Sequence, residues 1–237
     1  MTDLVIVHLY PREMNIYGDM GNLIALRRRL EWRGMGHRVD RVGVGDEYDF
    51  TGADIVVAGG GEDLSQMKVA ADLQTRAGAV RRAVDDGVVF LTVCGTYQLF
   101  GHRFVTASGE VIPGIGVFDC ETIGGGTRMI GNIVVDAAAG RLVGFENHSG
   151  RTMLGAGQEA LGRVVRGNGN NDTTGEEGAM VNNAFGTYLH GSVLPKNPAF
   201  ADDLIARALR RRGESGELSA LDDSVEQAAA KSAAARL

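Results

Sequence analysis

Hydrophobic residues fall in short blocks along the chain. Residues 4–9 (LVIVHL), 55–58 and 88–93 (VVFLTV) are continuous apolar runs, the pattern of strands covered on both faces. Residues 37–44 read as a further strand. Between these runs, residues 20–32 place Leu23, Leu26 and Leu30 at helical spacing, and 64–85 read as a long helix. Gly34 and Gly36 stop the first helix. The alternation predicts an α/β fold with an open, largely parallel or mixed central sheet flanked by helices. From residue 111 to 190 the pattern changes. Short β-like segments (117–122, 128–135, 142–145, 161–165, 180–183 and 185–189) are separated by glycine turns, which predicts hairpins and mixed sheet. Asn197 and Pro198 suit the N-cap and first position of a helix over 199–212. One domain is expected over 1–212. Residues 213–237, rich in Glu, Ser, Asp and Ala without aromatics, are expected to form a mobile or weakly helical tail.

Composition narrows the functional classes. A net charge of −6 over 237 residues disfavours generic nucleic-acid binding, which needs a basic face. The basic triplets at 27–29 and 210–212 read as solvated helix faces or ends. No apolar run approaches the ~18–20 residues of a membrane span, and the N-terminus has no signal-peptide pattern, so no membrane insertion is expected. Two cysteines, Cys94 and Cys120, make neither a disulfide framework nor a zinc cage; no metal site is expected, and a reducing cytoplasm is the natural compartment. The 35 glycines are roughly twice the usual ~7% and show no collagen period, so they read as turns and close approaches. The length accommodates one catalytic module but hardly a second one for ATP-driven chemistry.

Three local features carry candidate chemistry. In VVFLTVCGTYQLFG (88–101) a buried strand meets a helix at Cys94 and Gly95. A nucleophile on such a corner stands exposed above the sheet, and the helix N-terminus favours the thiolate. A buried core cysteine has the same local sequence. In IVVAGGGEDL (55–64) a strand runs into Gly59, Gly60 and Gly61, either a plain turn or a source of bare backbone N–H groups at the ligand-binding end of a sheet. In FGTYLHGSVLP (185–195) a β-rich run ends at His190, a structural histidine or a general base. His148 lies in the polar stretch FENHSGRT with Glu146, Asn147 and Ser149, which suits a site lining. His8, His37 and His102 suit core or peripheral positions.

Taken together, GGGED, VCGTYQLFG and YLHG resemble, in that order, a class I (triad) glutamine amidotransferase domain over roughly residues 4–200. Within the class the chain is similar to the cobyric-acid-synthase-like branch. The segments YPREMNIYGDMGN (10–22), IGGGTRMIGN (123–132) and FENHSGRT (145–152) resemble the stand-alone glutaminase subunits that serve cell-wall amidotransferases.

The resemblance implies hydrolysis of L-glutamine to glutamate and ammonia through a Cys94 thioester, with His190 moving protons. It implies an oxyanion hole from Gly95 and from Gly60 or Gly61, Arg128 on the glutamine α-carboxylate, and Gln98 in contact with substrate. It also implies a partner: a MurT-like, Mur-ligase-family subunit that carries ATP and Mg and amidates D-glutamate of the lipid II stem peptide to D-isoglutamine. No cofactor is expected in this chain. A glutaminase for a cobyrinate-type or other acceptor, and a non-catalytic module of the same fold, are the alternatives; retention of both Cys94 and His190 argues against the latter. One departure stands out. Many class I domains place glutamate two residues after the catalytic histidine, and here that residue is Ser192, with no acidic residue until Asp202. The orienting carboxylate is expected from the partner, or in-chain from Glu146. Partner supply would leave the isolated chain a poor glutaminase.

Overall fold

The computed structural model describes residues 3–16 and 18–236. The chain runs β1 (Leu4–Leu9), α1 (Met20–Trp32), β2 (His37–Val42), β3 (Ile55–Ala58), α2 (Asp63–Asp85), β4 (Val89–Val93), α3 (Gly95–Phe100), β5 (Arg103–Val105), β6 (Val111–Pro113), β7 (Cys120–Ala137) and β8 (Gly140–Leu154). It continues through β9 (Gly162–Arg166), β10 (Glu176–Glu177), β11 (Ala179–Val181), β12 (Ala184–Thr187), α4 (Val193–Lys196), α5 (Pro198–Arg211) and α6 (Ser224–Ala234).

Among the described residues the strands form two sheets. The first has the order β11-β12-β4-β3-β1-β2, with every neighbour pair parallel except the β11–β12 hairpin at one edge. Its inner strands β1, β3, β4 and β12 are buried at every position, as continuous apolar runs demand. The second sheet, β10-β9-β7-β5-β6 with β8 also on β7, contains the expected hairpins. Its long pair β7–β8 replaces several of the shorter segments read from sequence: glycines at 124–126 and 131 lie inside β7. The pairing register shifts between Gly124 and Met129, so these glycines mark an irregularity within a strand. Gly150 of β8, paired in register with Gly124, is explained differently. A Cβ there would lie 2.5 Å from Gln98 Nε2, so glycine is required by close approach.

The end of the chain is anchored. Arg29, 3% exposed on α1, donates to Asp202 of α5 at 2.6 Å and to Asp223 at 2.6 Å. Arg33 donates to the Ser219 carbonyl at 2.8 Å and to Asp202 at 2.7 Å. Asn132 of β7 donates to the Ala233 carbonyl of α6. The described part of residues 213–237, expected to be mobile or weakly helical, forms an extended strap and an 11-residue helix, with the Arg29–Asp223 ion pair and the Arg33–Ser219 hydrogen bond tying the strap to α1. Leu218 of the strap also packs against the core.

Candidate active site

Three adjacent parallel strands deliver the site. β3 ends at Ala58 and feeds Gly59, Gly60 and Gly61; β4 ends at Val93 and feeds Cys94; β12 ends at Thr187 and leads to His190. These are the carboxyl ends of a parallel sheet, where strand termini leave a crevice. Cys94 sits in the corner with φ 53° and ψ −108°, a conformation L side chains rarely adopt. Its N–H is fixed by the Thr187 carbonyl at 2.8 Å and its carbonyl accepts from Gln98 N–H at 3.0 Å. Such sparsely populated conformations cluster at functional sites, and a strand-to-helix corner is where a nucleophile stands exposed, which makes Cys94 the candidate. The other cysteine, Cys120, is buried in β7, and burial pushes its thiol up to about 12, which leaves it inert.

His190 is buried, and its backbone is pinned to Phe145 of β8 by hydrogen bonds in both directions, 2.8 and 3.1 Å. Burial opposes its charged form. The Cys94 sulfur and the Asp19 carboxylate outweigh that, and the imidazole is pushed up to about 10. The His190 ring is therefore an imidazolium at neutral pH.

Asp19 was not found by sequence reasoning. It lies just before α1, 2% exposed, with Oδ1 3.4 Å from His190 Nδ1 and Oδ2 accepting from the Gly60 N–H at 2.7 Å. The available signal was its place in the 10–22 segment, which resembled the subgroup but suggested no role. Tyr17 of that segment lies outside the described residues. Ser192, where related domains carry glutamate, donates its hydroxyl to the Gly18 carbonyl. The histidine loop thus grips the segment that presents the carboxylate. Glu146, the in-chain carboxylate expected for this task, is committed elsewhere: it accepts from the Asn168 and Gly169 N–H groups and from the Asn168 side chain. Asp202 is bound to Arg29 and Arg33.

The glycine loop is explained by space. A Cβ on Gly60 would lie 3.1 Å from His190 Cε1 and 3.2 Å from Cys94 Cβ; one on Gly59 would lie 2.5 Å from Asp19 Oδ2 and 2.7 Å from the Met14 carbonyl. Thr96 of α3 donates to the Gly59 carbonyl at 2.6 Å, tying α3 to the loop. The Gly60 N–H, expected as an oxyanion donor, is instead directed to Asp19. Gln66 of α2, also absent from the sequence reading, donates to the Gly61 carbonyl at 3.1 Å and would be met by a Cβ on Gly95 at 2.9 Å.

A cavity of about 410 Å³ opens beside Cys94. Gly61, Gln66 and Gln98 line it on one side, and Arg128, Asn147 and His148 of the β7–β8 hairpin on another. Arg128 is exposed and donates to Asn147 Oδ1 (2.8 and 3.0 Å) and to the Asn147 carbonyl, with no carboxylate partner among the described residues. Its guanidinium is therefore held in place yet still uncompensated in charge, as a carboxylate site requires. Gln98 is buried, with its amide donating to the Tyr188 hydroxyl at 3.1 Å. The structure thus brings Cys94, His190, Gly60, Gly61, Gly95, Gln98 and Arg128 to one crevice, and adds Asp19. No described helix is long and apolar enough to cross a membrane.

Residues 5–198 match the CobB/CobQ-like glutamine amidotransferase domain family. The chain is 37% identical over 227 residues to the lipid II isoglutaminyl synthase (glutamine-hydrolyzing) subunit GatD of Staphylococcus aureus, covering 95% of this chain and 93% of that one. It is 39% identical to the GatD subunit of Streptococcus pneumoniae, covering 94% and 88%. A probable cobyric acid synthase of Methanothermobacter thermautotrophicus shares 37% identity over 114 residues, 42% of this chain and 22% of that protein. Among solved structures, a glutamine amidotransferase of Thermotoga maritima superposes with a TM-score of 0.54 at 14% identity, covering 90% of this chain and 81% of that one, a likeness of fold.

Proposed function

Because this chain belongs to the CobB/CobQ-like glutamine amidotransferase family, we propose that it is the glutaminase subunit of a lipid II isoglutaminyl synthase. The observation that carries this reading is the end-to-end correspondence with two GatD subunits, spanning 95% and 94% of this chain. The enzyme is a glutamine amidotransferase. Its ammonia goes to a MurT-like ligase subunit, which binds ATP and Mg and amidates D-glutamate of the lipid II stem peptide in the cytoplasm.

The chemistry follows from the crevice. The Cys94 thiolate attacks the carboxamide carbon of L-glutamine, and the carbonyl oxygen takes up the charge. Backbone N–H groups of Gly95 and Gly61 stabilise that oxyanion; one such donor is typically worth ~2.7–4 kcal/mol of barrier. The C–N bond breaks as the His190 imidazolium gives its proton to the leaving nitrogen, and ammonia departs. Neutral His190 then takes a proton from water. The resulting hydroxide attacks the γ-glutamyl thioester, which releases glutamate and restores the thiolate and imidazolium. Asp19 orients the imidazole and favours its charged form. Arg128 holds the glutamine α-carboxylate.

The test is glutamine hydrolysis and lipid II amidation with and without the candidate ligase, for the wild type, Cys94→Ala and His190→Ala. Amidation of lipid II that needs both chains and is lost in either variant is expected. Reconstitution with a cobyrinate synthetase but not with the Mur-like ligase would overturn the reading.

A further inference from the structure

His148 has no part in the chemistry above, yet its placement is unusual. It is 2% exposed on β8, stacked on Tyr188 with ring centroids 3.6 Å apart and planes at 4°, and it lines the cavity beside Cys94. Its Nδ1 lies 2.8 Å from the Gly150 carbonyl oxygen. A carbonyl only accepts, so Nδ1 carries the ring proton, and the neutral ring presents a bare lone pair at Nε2. Burial first, then the positive charges of His190, Arg128 and Arg151, pull the imidazole down to about 4, against the Gly150 hydrogen bond. The ring is neutral at physiological pH, with a fixed tautomer. Its Nε2 is buried and has no hydrogen-bond partner among the described residues. Such an orphaned atom costs roughly 1–3 kcal/mol, which a donor would recover.

The surrounding side chains do not provide that donor. Gln98 donates to Tyr188, and Arg128 to Asn147. Glutamine brings two kinds of N–H. Its ammonium suits the exposed carboxylates Glu62 and Asp63, which line the same cavity. Its carboxamide must lie at Cys94, the buried end.

We propose that His148 is a specificity residue whose Nε2 accepts a hydrogen bond from the carboxamide nitrogen of glutamine, so that the pocket favours the amide over its carboxylate product. A γ-carboxylate offers only acceptor oxygens, which a lone pair repels. This rests on the cavity being the glutamine site.

The test compares L-glutamine with L-glutamate γ-methyl ester, which lacks the N–H. His148→Phe keeps a ring on Tyr188 and removes the acceptor; His148→Gln restores an acceptor. For His148→Phe the ratio of kcat/KM for amide over ester is expected to fall about tenfold, the effect of one hydrogen bond, with partial recovery in His148→Gln. Equal loss on both substrates marks a structural role and overturns the proposal. A second measurement needs no change at His148. In the Cys94→Ala protein, the ¹⁵N signal of His148 Nε2 is expected to move upfield on adding glutamine and to stay with glutamate. An unmoved signal at saturating glutamine also overturns the proposal. A wild type that cleaves neither substrate would overturn the glutaminase reading instead.

Discussion

His190 Nδ1 and Asp19 Oδ1 lie 3.4 Å apart, although 171 positions separate the two residues in the chain. Both are buried, and the other oxygen of the same carboxylate holds the Gly60 N–H. One side chain therefore contacts the His190 ring and anchors the glycine loop. Asp19→Asn is expected to lower kcat by about 10²–10⁴-fold, the usual range for a disturbed acid–base pair, with a much smaller change in KM. Stopped assays of glutamate release by the isolated chain would check this. The orienting carboxylate was expected from the partner; Asp19 is an in-chain candidate for it. The isolated chain should show basal hydrolysis that Asp19→Asn removes.

The same pair predicts a pH response. The folded-state pKa of His190 is raised to about 10, above its ordinary value of 6.5. Its contribution to stability is fully present below pH 6.5 and is lost as pH rises through about 10. Asp19→Asn removes one of the two groups holding the proton, so the His190 titration should move to lower pH. NMR titration of the ring reads this directly, and an unchanged midpoint would exclude Asp19 as an electrostatic partner.

Gly60 tests the packing of the crevice. An added methyl would press on His190 and Cys94 at once, at 3.1 and 3.2 Å. Gly60→Ala is expected to reduce kcat by up to about 10²-fold, as small misplacements of reacting groups do, while the melting temperature changes little. Unfolding and kinetics measured on the same preparation separate the two effects.

Arg128 is held by Asn147 and carries an unpaired charge at the cavity. Arg128→Lys keeps the charge but loses the planar fork that grips a carboxylate at two points. KM for glutamine should rise about tenfold or more, with kcat changing less. Steady-state kinetics over a wide glutamine range would check it, and a pure kcat effect would place Arg128 outside α-carboxylate binding.

Glu177 governs stability away from the site. It is fully buried, with Oε1 accepting from the Thr187 hydroxyl at 2.6 Å and the Tyr188 N–H at 2.7 Å. Burial raises its carboxyl to about 7 against those hydrogen bonds, with the Glu146 charge adding to the rise. A raised folded-state pKa makes its contribution fully present below about 4.5 and lost as pH rises through 7. The loss amounts to about 3 kcal/mol at most, at 1.36 kcal/mol per pH unit. Glu177→Gln should therefore be more stable than the wild type at pH 8 and should flatten the decline in stability between pH 5 and 8, measured by urea unfolding.

The sequence by itself determined the alternation of strands and helices, because continuous apolar runs and helical spacing are local patterns. Residues 4–9, 20–32 and 55–58 reappear unchanged as β1, α1 and β3. It also marked Cys94, the glycine loop and His190, because a nucleophile corner and bare glycines need particular residues in consecutive positions. Tertiary structure decided what those positions share. Parallel pairing of β3, β4 and β12 sets three separated strand ends side by side. The Ser192 hydroxyl and Asp19 meet the loops across the sheet. A carboxylate needs only distance and direction to orient an imidazole, and neither leaves a trace in local spacing. For that reason Asp19 was silent in the sequence and Glu146 looked plausible, and only the folded chain places Asp19 beside His190 and Glu146 on the Asn168–Gly169 backbone.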